Sequence, residues 1–263
     1  MSGPEQKSER GMTAWFFTGN ADERFLTLTV ENMLVELACT GRSPLAVYSD
    51  TPPFGSTTVR ARGKSRLDRY LERYTAARIP ALRLHDLRQN LLDARRRGLF
   101  VAEGAKYDPV LITGPEIPES GLPTVADAVT LFIVKGTSTP GWVYEAIRPL
   151  VLRKELVPIS VVVLNAGCLE EAAVFFHDLK QEVLSLLNTD ISIRFAGYLK
   201  FDPDYTEAAL KAVRPIVECF PGSPFHGQVK YILKSLTKAV ETPPAEGYFS
   251  RMAAWVASRN PKR

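Results

Sequence analysis

The sequence predicts an α/β fold, in which a mainly parallel, twisted β-sheet carries helices on both faces of a single domain. Apolar strand-like segments alternate with helix-length segments along the chain, which is typical of parallel sheets. Pro158–Leu164 is almost purely β-branched, as expected for a strand that is buried on both faces. With 263 residues, of which 45% are hydrophobic, the chain can bury the core of one large domain.

The first elements form a strand–helix–strand unit. Thr13–Thr18 reads as a buried strand, and after Gly19 comes a long helix with apolar residues on one face. This helix ends at Gly41, and Pro44–Ser49 is the second strand. We therefore expect the two strands to be parallel neighbours of the helix that connects them.

The remaining elements continue the alternation as far as Val240. The predicted strands are Tyr107–Thr113, Val129–Val134, Pro158–Leu164 and Ile191–Leu199. The predicted helices run from about Trp142 to Arg153, from Leu169 to Leu187 and from about Gly222 to Val240.

Composition indicates where the domain begins and ends, and in which compartment it works. Residues 1–11 are polar and read as a flexible leader, 12–240 as the α/β domain, and 241–263 as a Pro-rich linker with a short C-terminal helix. No apolar run reaches the ~18 residues of a membrane span. The three cysteines are scattered, which argues against disulfides and a zinc site. We expect a cytoplasmic protein, with peripheral attachment to the inner face of the membrane as an alternative.

Two strings in the second half of the chain carry a family resemblance. Ser160–Asn165 is a strand that ends in Asn, and Phe195–Asp204 contains Gly-Tyr-Leu-Lys-Phe-Asp-Pro-Asp before a short segment that leads to Arg214-Pro215. Over roughly residues 12–240 the chain resembles the MinD/ParA family of deviant-Walker P-loop ATPases, in particular its MinD- and FlhG-like branch. The resemblance implies a P-loop NTPase-like sheet and an ATP site at the turn after the first strand.

That turn departs from the family pattern GxxxxGK[ST], whose glycine-rich backbone and lysine hold phosphates. Residues 19–27 read Gly-Asn-Ala-Asp-Glu-Arg-Phe-Leu-Thr, with one glycine, no lysine and two acids. An acid at about 4 Å from a phosphate costs about 4 kcal/mol at an effective dielectric of about 20. That repulsion would offset much of the stabilisation of a phosphate at a helix N-terminus. The acids also have a structural explanation, since they complement the helix dipole.

Two further family positions differ, and a third is kept. The resemblance implies an aspartate that orients water where Tyr48 stands, two residues before Asp50, and a magnesium aspartate where Thr113 stands. Asn165 matches the family residue that contacts adenine, although an Asn-Ala-Gly turn explains it without a ligand. The degenerate nucleotide-site positions are therefore Gly19, Asn20, Asp22, Glu23, Arg24, Thr27, Tyr48, Asp50, Thr113 and Asn165.

Positive charge is concentrated between Arg60 and Arg97, where twelve Lys or Arg face four Asp or Glu. A solvated helical face explains this pattern, and so does an acidic protein partner or nonspecific nucleic acid. The candidate contact residues are Arg60, Arg62, Lys64, Arg66, Arg69, Arg73, Arg95, Arg96 and Arg97.

The C-terminal helix has apolar residues at helical spacing among basic ones, namely Phe249, Met252, Trp255 and Val256. The family resemblance implies a membrane-inserting amphipathic helix, which would be a weak anchor at this length. The alternative, which we favour, is a helix that packs against the body or a partner, with Trp255 as its anchor.

The combined losses predict a catalytically inactive scaffold, a pseudo-ATPase without cofactor that positions or regulates a cellular machine through protein contacts. One alternative is an ATPase with a rearranged phosphate site, in which Arg24 replaces the lysine, Thr27 binds magnesium, and ATP and Mg are the cofactors. Another is a nucleoid-binding partition-type factor that uses Arg60–Arg97. We expect a protein partner, and either a homodimer that forms without nucleotide or a heterodimer with an active homologue.

Overall fold

The protein is described by a computed structural model. It covers residues 13–21, 23–48, 72–73, 79–114, 126–152, 157–187, 191–212, 214–240 and 247–259.

The centre of the molecule is one sheet, to which the described residues contribute eight strands. They are β1 (Ala14–Gly19), β2 (Leu45–Tyr48), β3 (Glu72–Arg73), β4 (Pro80–Arg83), β5 (Val110–Thr113), β6 (Ala128–Val134), β7 (Ile159–Leu164) and β8 (Ile193–Leu199). Their order is β3-β4-β2-β5-β1-β6-β7-β8, and β3 alone among them is antiparallel to its neighbour. The predicted mainly parallel sheet is confirmed.

Helices cover both faces of this sheet, as predicted. Within the described residues they are α1 (Glu23–Cys39), α2 (Leu84–Leu92), α3 (Ala94–Gly104), α4 (Pro140–Leu152), α5 (Leu169–Leu187), α6 (Pro203–Ala212), α7 (Ile216–Cys219), α8 (Pro224–Ala239) and α9 (Tyr248–Arg259). Buried side chains of α1, α6, α7 and α8 form the core on one face, and those of α2 to α5 and α9 form the core on the other. Helices on both faces explain why β6 and β7 are apolar at nearly every position.

Local chemistry sets the helix ends more finely than the hydrophobic pattern does. Helix α8 starts at Pro224 because the Ser223 hydroxyl caps it, accepting from the His226 N–H at 3.2 Å. Helix α4 starts at Pro140, two residues before the predicted start, since proline fits the first helical position. Strand β5 starts at Val110 rather than Tyr107, and β8 at Ile193 rather than Ile191.

Helix α9 is part of the core of the domain. Phe249 is 1% exposed, Met252 0% and Val256 3%, and all three lie in the cluster that contains α2 and α3. The apolar face that would enter a membrane is therefore covered by protein. Trp255 is not the main anchor, since it is half-buried at the edge with the Arg88 guanidinium 5.6 Å from its ring centroid.

A buried ion pair fixes the start of α9 to the sheet. The Arg251 Nη2 donates to Asp127 Oδ1 at 2.6 Å, while Asp127 Oδ2 accepts from the Ala14 N–H at 2.6 Å. Burial raises the pKa of Asp127, although the Ala14 N–H and Arg251 oppose that shift.

No helix of the described residues has both the length and the apolar character needed to cross a bilayer.

Candidate functional site

The carboxyl ends of the parallel strands bring four predicted site positions to one edge of the sheet. Gly19 ends β1, Tyr48 ends β2 and Thr113 ends β5, and Tyr48 and Thr113 are directly paired. Asn165 follows the last residue of β7. In parallel sheets, ligands bind outside the carboxyl ends of the strands, so this edge is the candidate site.

Gly19 is required by close approach. It pairs with Phe132 of β6, and a Cβ added at position 19 would lie 2.4 Å from the Phe132 carbonyl oxygen. The next residue, Asn20, is also held in place, because its Oδ1 accepts a hydrogen bond from Ser138 Oγ at 2.6 Å. Ser138 Oγ in turn accepts from the Val134 N–H at 2.7 Å. The turn is thus tied to the end of β6 by the protein's own groups.

Helix α1 begins at Glu23, so the residues after the turn are already helical. Counted from Gly19 along GxxxxGK[ST], the lysine position is Phe25 and the hydroxyl position is Leu26. The Phe25 ring is 40% exposed and packs on Phe201, with the ring centroids 5.1 Å apart. Leu26 is 3% exposed and Thr27 is 8% exposed, so both point into the core.

Tyr48 lies in the interior of the protein, so its ring does not add apolar area to an exposed face. It is 1% exposed, and its hydroxyl accepts a hydrogen bond from Arg83 Nε at 3.4 Å. Arg83 ends β4, which pairs with β2. A second subunit could not reach the ring without disturbing this packing.

Some of the predicted site residues lie outside the described part of the chain. Asp22 and Asp50 are among them, and for Glu23 and Arg24 the structure describes the helical backbone but not the side chains. The proposed substitution of Arg24 for the family lysine therefore stays a prediction.

Acidic side chains occupy the N-termini of two other helices at this edge. At α5, Glu171 accepts from the Gly167 N–H and pairs with Lys135, which follows β6. The hydrogen bond from Lys135 holds the pKa of Glu171 below its ordinary value. At α6, Asp202 Oδ1 accepts from the Asp204 N–H at 2.9 Å. The positive ends of these helices are thus satisfied by carboxylates of the protein itself.

Asn165 has a conformational reason to be asparagine. Its φ is 62°, in the left-handed region that Asn tolerates better than most residues. Its side chain is exposed, and its N–H donates to the Leu199 carbonyl at 3.1 Å. The turn explains the residue type, and the exposed amide remains free to face the edge.

Solved structures with the same architecture identify the fold. The MinD cell division protein of Aquifex aeolicus superposes with a TM-score of 0.59 at 15% identity, over 86% of this chain and 97% of that one. The ParA family ATPase of Chlorobium tepidum gives 0.56 at 12% identity, over 86% and 98%. Apo McdA from Cyanothece gives 0.53 at 12% identity, over 86% and 99%.

The chain has the MinD/ParA fold. No family model matches the sequence, and no curated protein matches it either. The identification therefore rests on the three-dimensional arrangement, which agrees with the resemblance of residues 160–165 and 195–204 to this family.

The basic segment lies mostly outside the described part of this MinD/ParA fold. That applies to Arg60, Arg62, Lys64, Arg66 and Arg69, while Arg73 and Arg95 are described by their backbone alone. Two other arginines make local contacts. Arg96 Nε lies 3.0 Å from Asp93 Oδ2, and Arg97 Nε donates to the Leu91 carbonyl at 2.9 Å. Both contacts are local to α2 and α3, and the binding role of the segment stays a prediction.

One charged cluster of the MinD/ParA fold was not predicted. His226 appears isolated in the sequence, but its Nε2 lies 2.7 Å from Glu36 Oε2, and Lys230 Nζ lies 3.7 Å from Glu36 Oε1. Glu36 and His226 are 190 residues apart, so only the packing of α1 against α8 reveals the pair. Within the described residues, no group of three or more His, Cys, Asp or Glu could hold a metal ion.

Proposed function

We propose that this protein is a MinD/ParA-type scaffold that positions or regulates a cellular machine through protein contacts and does not hydrolyse ATP. The observation that carries the proposal is the turn after β1, where Phe25 stands at the lysine position and packs on Phe201 at 5.1 Å. A lysine at this point supplies the charge that reaches the β- and γ-phosphates in a P-loop, and a phenyl ring cannot.

The electrostatics of the edge support the same proposal. Glu171 and Asp202 already accept the N–H groups at the starts of α5 and α6, where a phosphate would otherwise bind. Lys135, a cation at the end of β6, is paired with Glu171 rather than free for a ligand. The edge therefore offers little net attraction to a triphosphate.

A solved complex of a protein with this fold supports partner binding. One solved structure with a TM-score of 0.59 is a MinC:MinD cell division protein complex, so a MinD of this fold works with a second protein. We propose that the present chain likewise acts through a protein partner, either as a homodimer that forms without nucleotide or together with an active homologue.

Calorimetry with ATP and magnesium tests the proposal. We expect no binding heat up to about 1 mM ATP, a concentration at which a site with a Kd of 1 mM would be half-filled, at about 4 kcal/mol of binding free energy.

The variant Thr27→Ala separates this proposal from the rearranged phosphate site. If Thr27 is only a buried residue of α1 and does not bind magnesium, Thr27→Ala leaves the ATP calorimetry unchanged. The opposite result would be micromolar ATP binding by the parent chain and loss of that binding in Thr27→Ala. It would reject the scaffold and favour an ATPase that uses Arg24 and Thr27.

A further inference from the structure

A groove of about 460 Å³ lies between α1, α7 and α8. Its walls include Val35 and Cys39 near the C-terminal end of α1 and Val217 on α7. The candidate nucleotide edge adjoins the other end of α1, so the groove is separate from it. Val35 and Val217 are apolar and well packed, with 3% and 4% of their surfaces exposed, while Cys39 is exposed.

The acids of the groove are largely shielded from solvent, whereas its cations are exposed. Glu36 is held by His226 and Lys230, and Glu218 by Arg214, whose Nε lies 3.3 Å from Glu218 Oε2. The side chains of Glu36 and Glu218 are 9% and 16% exposed, but those of Lys230 and Arg214 are 57% and 55% exposed. A ligand that approaches the groove therefore meets positive charge at the rim and apolar surface inside.

The His226 ring is fixed in this arrangement. Its Nδ1 accepts from the Gly222 N–H at 3.0 Å, so the proton of the neutral ring is on Nε2, which donates to Glu36 at 2.7 Å. Glu36 is thus hydrogen-bonded by His226 and lies 3.7 Å from the Lys230 ammonium before a ligand arrives. The floor is thus built by the protein and does not need the ligand to complete it.

The positive rim continues along the exposed side of α8. Lys230, Lys234 and Lys238 follow one another at intervals of four residues, which places them on one face of the helix. The helix contains no Asp or Glu, and Tyr231 beside the lysines is 51% exposed. Among the described residues no carboxylate pairs with Lys234 or Lys238.

We propose that the groove and this lysine stripe bind an acidic segment of a protein partner, with one apolar side chain of the segment in the groove. Acidic side chains on either side of that apolar residue would meet Arg214 and Lys230, and further acids would meet Lys234 and Lys238. The inference goes beyond the proposed function, because it names a surface and a partner chemistry and does not depend on whether ATP binds at the other end of α1.

The dimensions favour a peptide over a nucleic acid. Lys230 to Lys238 spans about 12 Å of helix at 1.5 Å per residue. The stripe and Arg214 offer four cations, fewer than the 6–10 phosphate contacts of a protein that binds DNA with a strong salt dependence. The phosphate backbone of duplex DNA would also make no apolar contact with Val35 and Val217 in the groove.

Fluorescence anisotropy with the full chain tests the proposal. The probe is a labelled short peptide of glutamates with one central leucine, compared with peptides that carry glutamine for glutamate or serine for leucine. We expect the first peptide to bind with a Kd of about 1–100 µM, more weakly as salt screens the charges, and the other two to bind about tenfold more weakly.

Matched variants assign the binding to this surface. Lys230→Glu with Lys234→Glu should weaken binding of the acidic peptide by about tenfold or more. The same charge change at two lysines on the opposite face of the sheet, Lys106→Glu with Lys180→Glu, should leave it within about twofold. Cys39→Phe should fill the groove and remove the advantage of leucine over serine, and circular dichroism verifies that each variant is folded.

Three results would overturn the inference. The glutamine peptide could bind as well as the glutamate peptide, or the control pair of lysine changes could weaken binding as much as the α8 pair. The protein could also bind a short DNA duplex more tightly than the peptide and lose that DNA binding in the variant Lys230→Glu with Lys234→Glu. This result would assign the surface to nucleic acid instead.

Discussion

At the scale of single residues, Glu31 on α1 has an electrostatic consequence for folding. It is 6% exposed, and burial, together with the charge of Glu218, raises its pKa from 4.5 to about 8. The folded protein therefore keeps this proton at pH 7, whereas the unfolded chain releases it. Since the native state binds more protons, its stability falls as the pH rises from about 4.5 to about 8.

The variant Glu31→Gln should remove this loss. At pH 5 the difference in free energy of unfolding between the wild type and the variant should be clearly smaller than at pH 8, because the carboxyl of the unfolded chain, with its ordinary pKa of 4.5, is not yet fully ionised. At pH 8 the variant should be more stable by about 1–3 kcal/mol. Urea unfolding at both pH values measures the difference, and Glu182→Gln at an exposed position of α5 is the control. The same difference at pH 5 and pH 8 would contradict the argument.

At the scale of elements, α9 contributes directly to stability. The Phe249 ring lies 6.1 Å from that of Phe100, and it packs against Gly104, where a Cβ would lie 2.5 Å from the ring. Phe249→Ala should therefore lower the free energy of unfolding by about 3–5 kcal/mol, the usual cost of such a cavity. Phe25→Ala, which truncates a ring that is 40% exposed, should cost clearly less in the same urea experiment. Equal losses would show that α9 is not part of the core.

The elements also show what the sequence can predict. Helix α5 has the predicted bounds, Leu169–Leu187, because its apolar spacing is regular and acids mark its first turn. The order β4–α2–α3 was not predicted, since β4 has only four residues and the arginines of 79–104 obscure the helical periodicity.

The candidate site was predictable to the same degree. Gly19, Tyr48, Thr113 and Asn165 could be assigned to one edge of the sheet because the sequence showed the ends of the strands that carry them. The burial of Tyr48 was not foreseen, since its partner Arg83 lies on the strand that was missed. The pair of His226 and Glu36 depends on a helix contact across 190 residues, which no local pattern reports.

At the scale of the whole molecule, we predict that self-association does not depend on nucleotide. In MinD/ParA proteins, two subunits meet across bound ATP, as the family resemblance implies. Here Arg24 could pair with Asp22 and Glu23 of a second copy across a two-fold axis. Sedimentation velocity should therefore give the same distribution, in which we expect a dimer, with and without ATP and magnesium.

Charge exchange provides the control for this experiment. Arg24→Glu should dissociate the dimer, and Glu23→Arg in the same chain should restore it, because the pairs are reciprocal. A dimer that appears only after ATP is added would reject both this prediction and the scaffold function. A monomer under both conditions would reject the dimer alone.

The contacts of Asp127 have a consequence for the order in which the protein is completed during synthesis. Its carboxylate joins Ala14, 113 residues earlier, to Arg251, 124 residues later. Contacts of such sequence separation are slow to form, because a long chain must first be brought together. Until residue 251 has left the ribosome, Asp127 lacks its cation and the apolar surface of α2 and α3 lacks its cover. We therefore expect nascent chains to expose an aggregation-prone apolar surface for most of translation, and to need chaperones until α9 packs against α2 and α3.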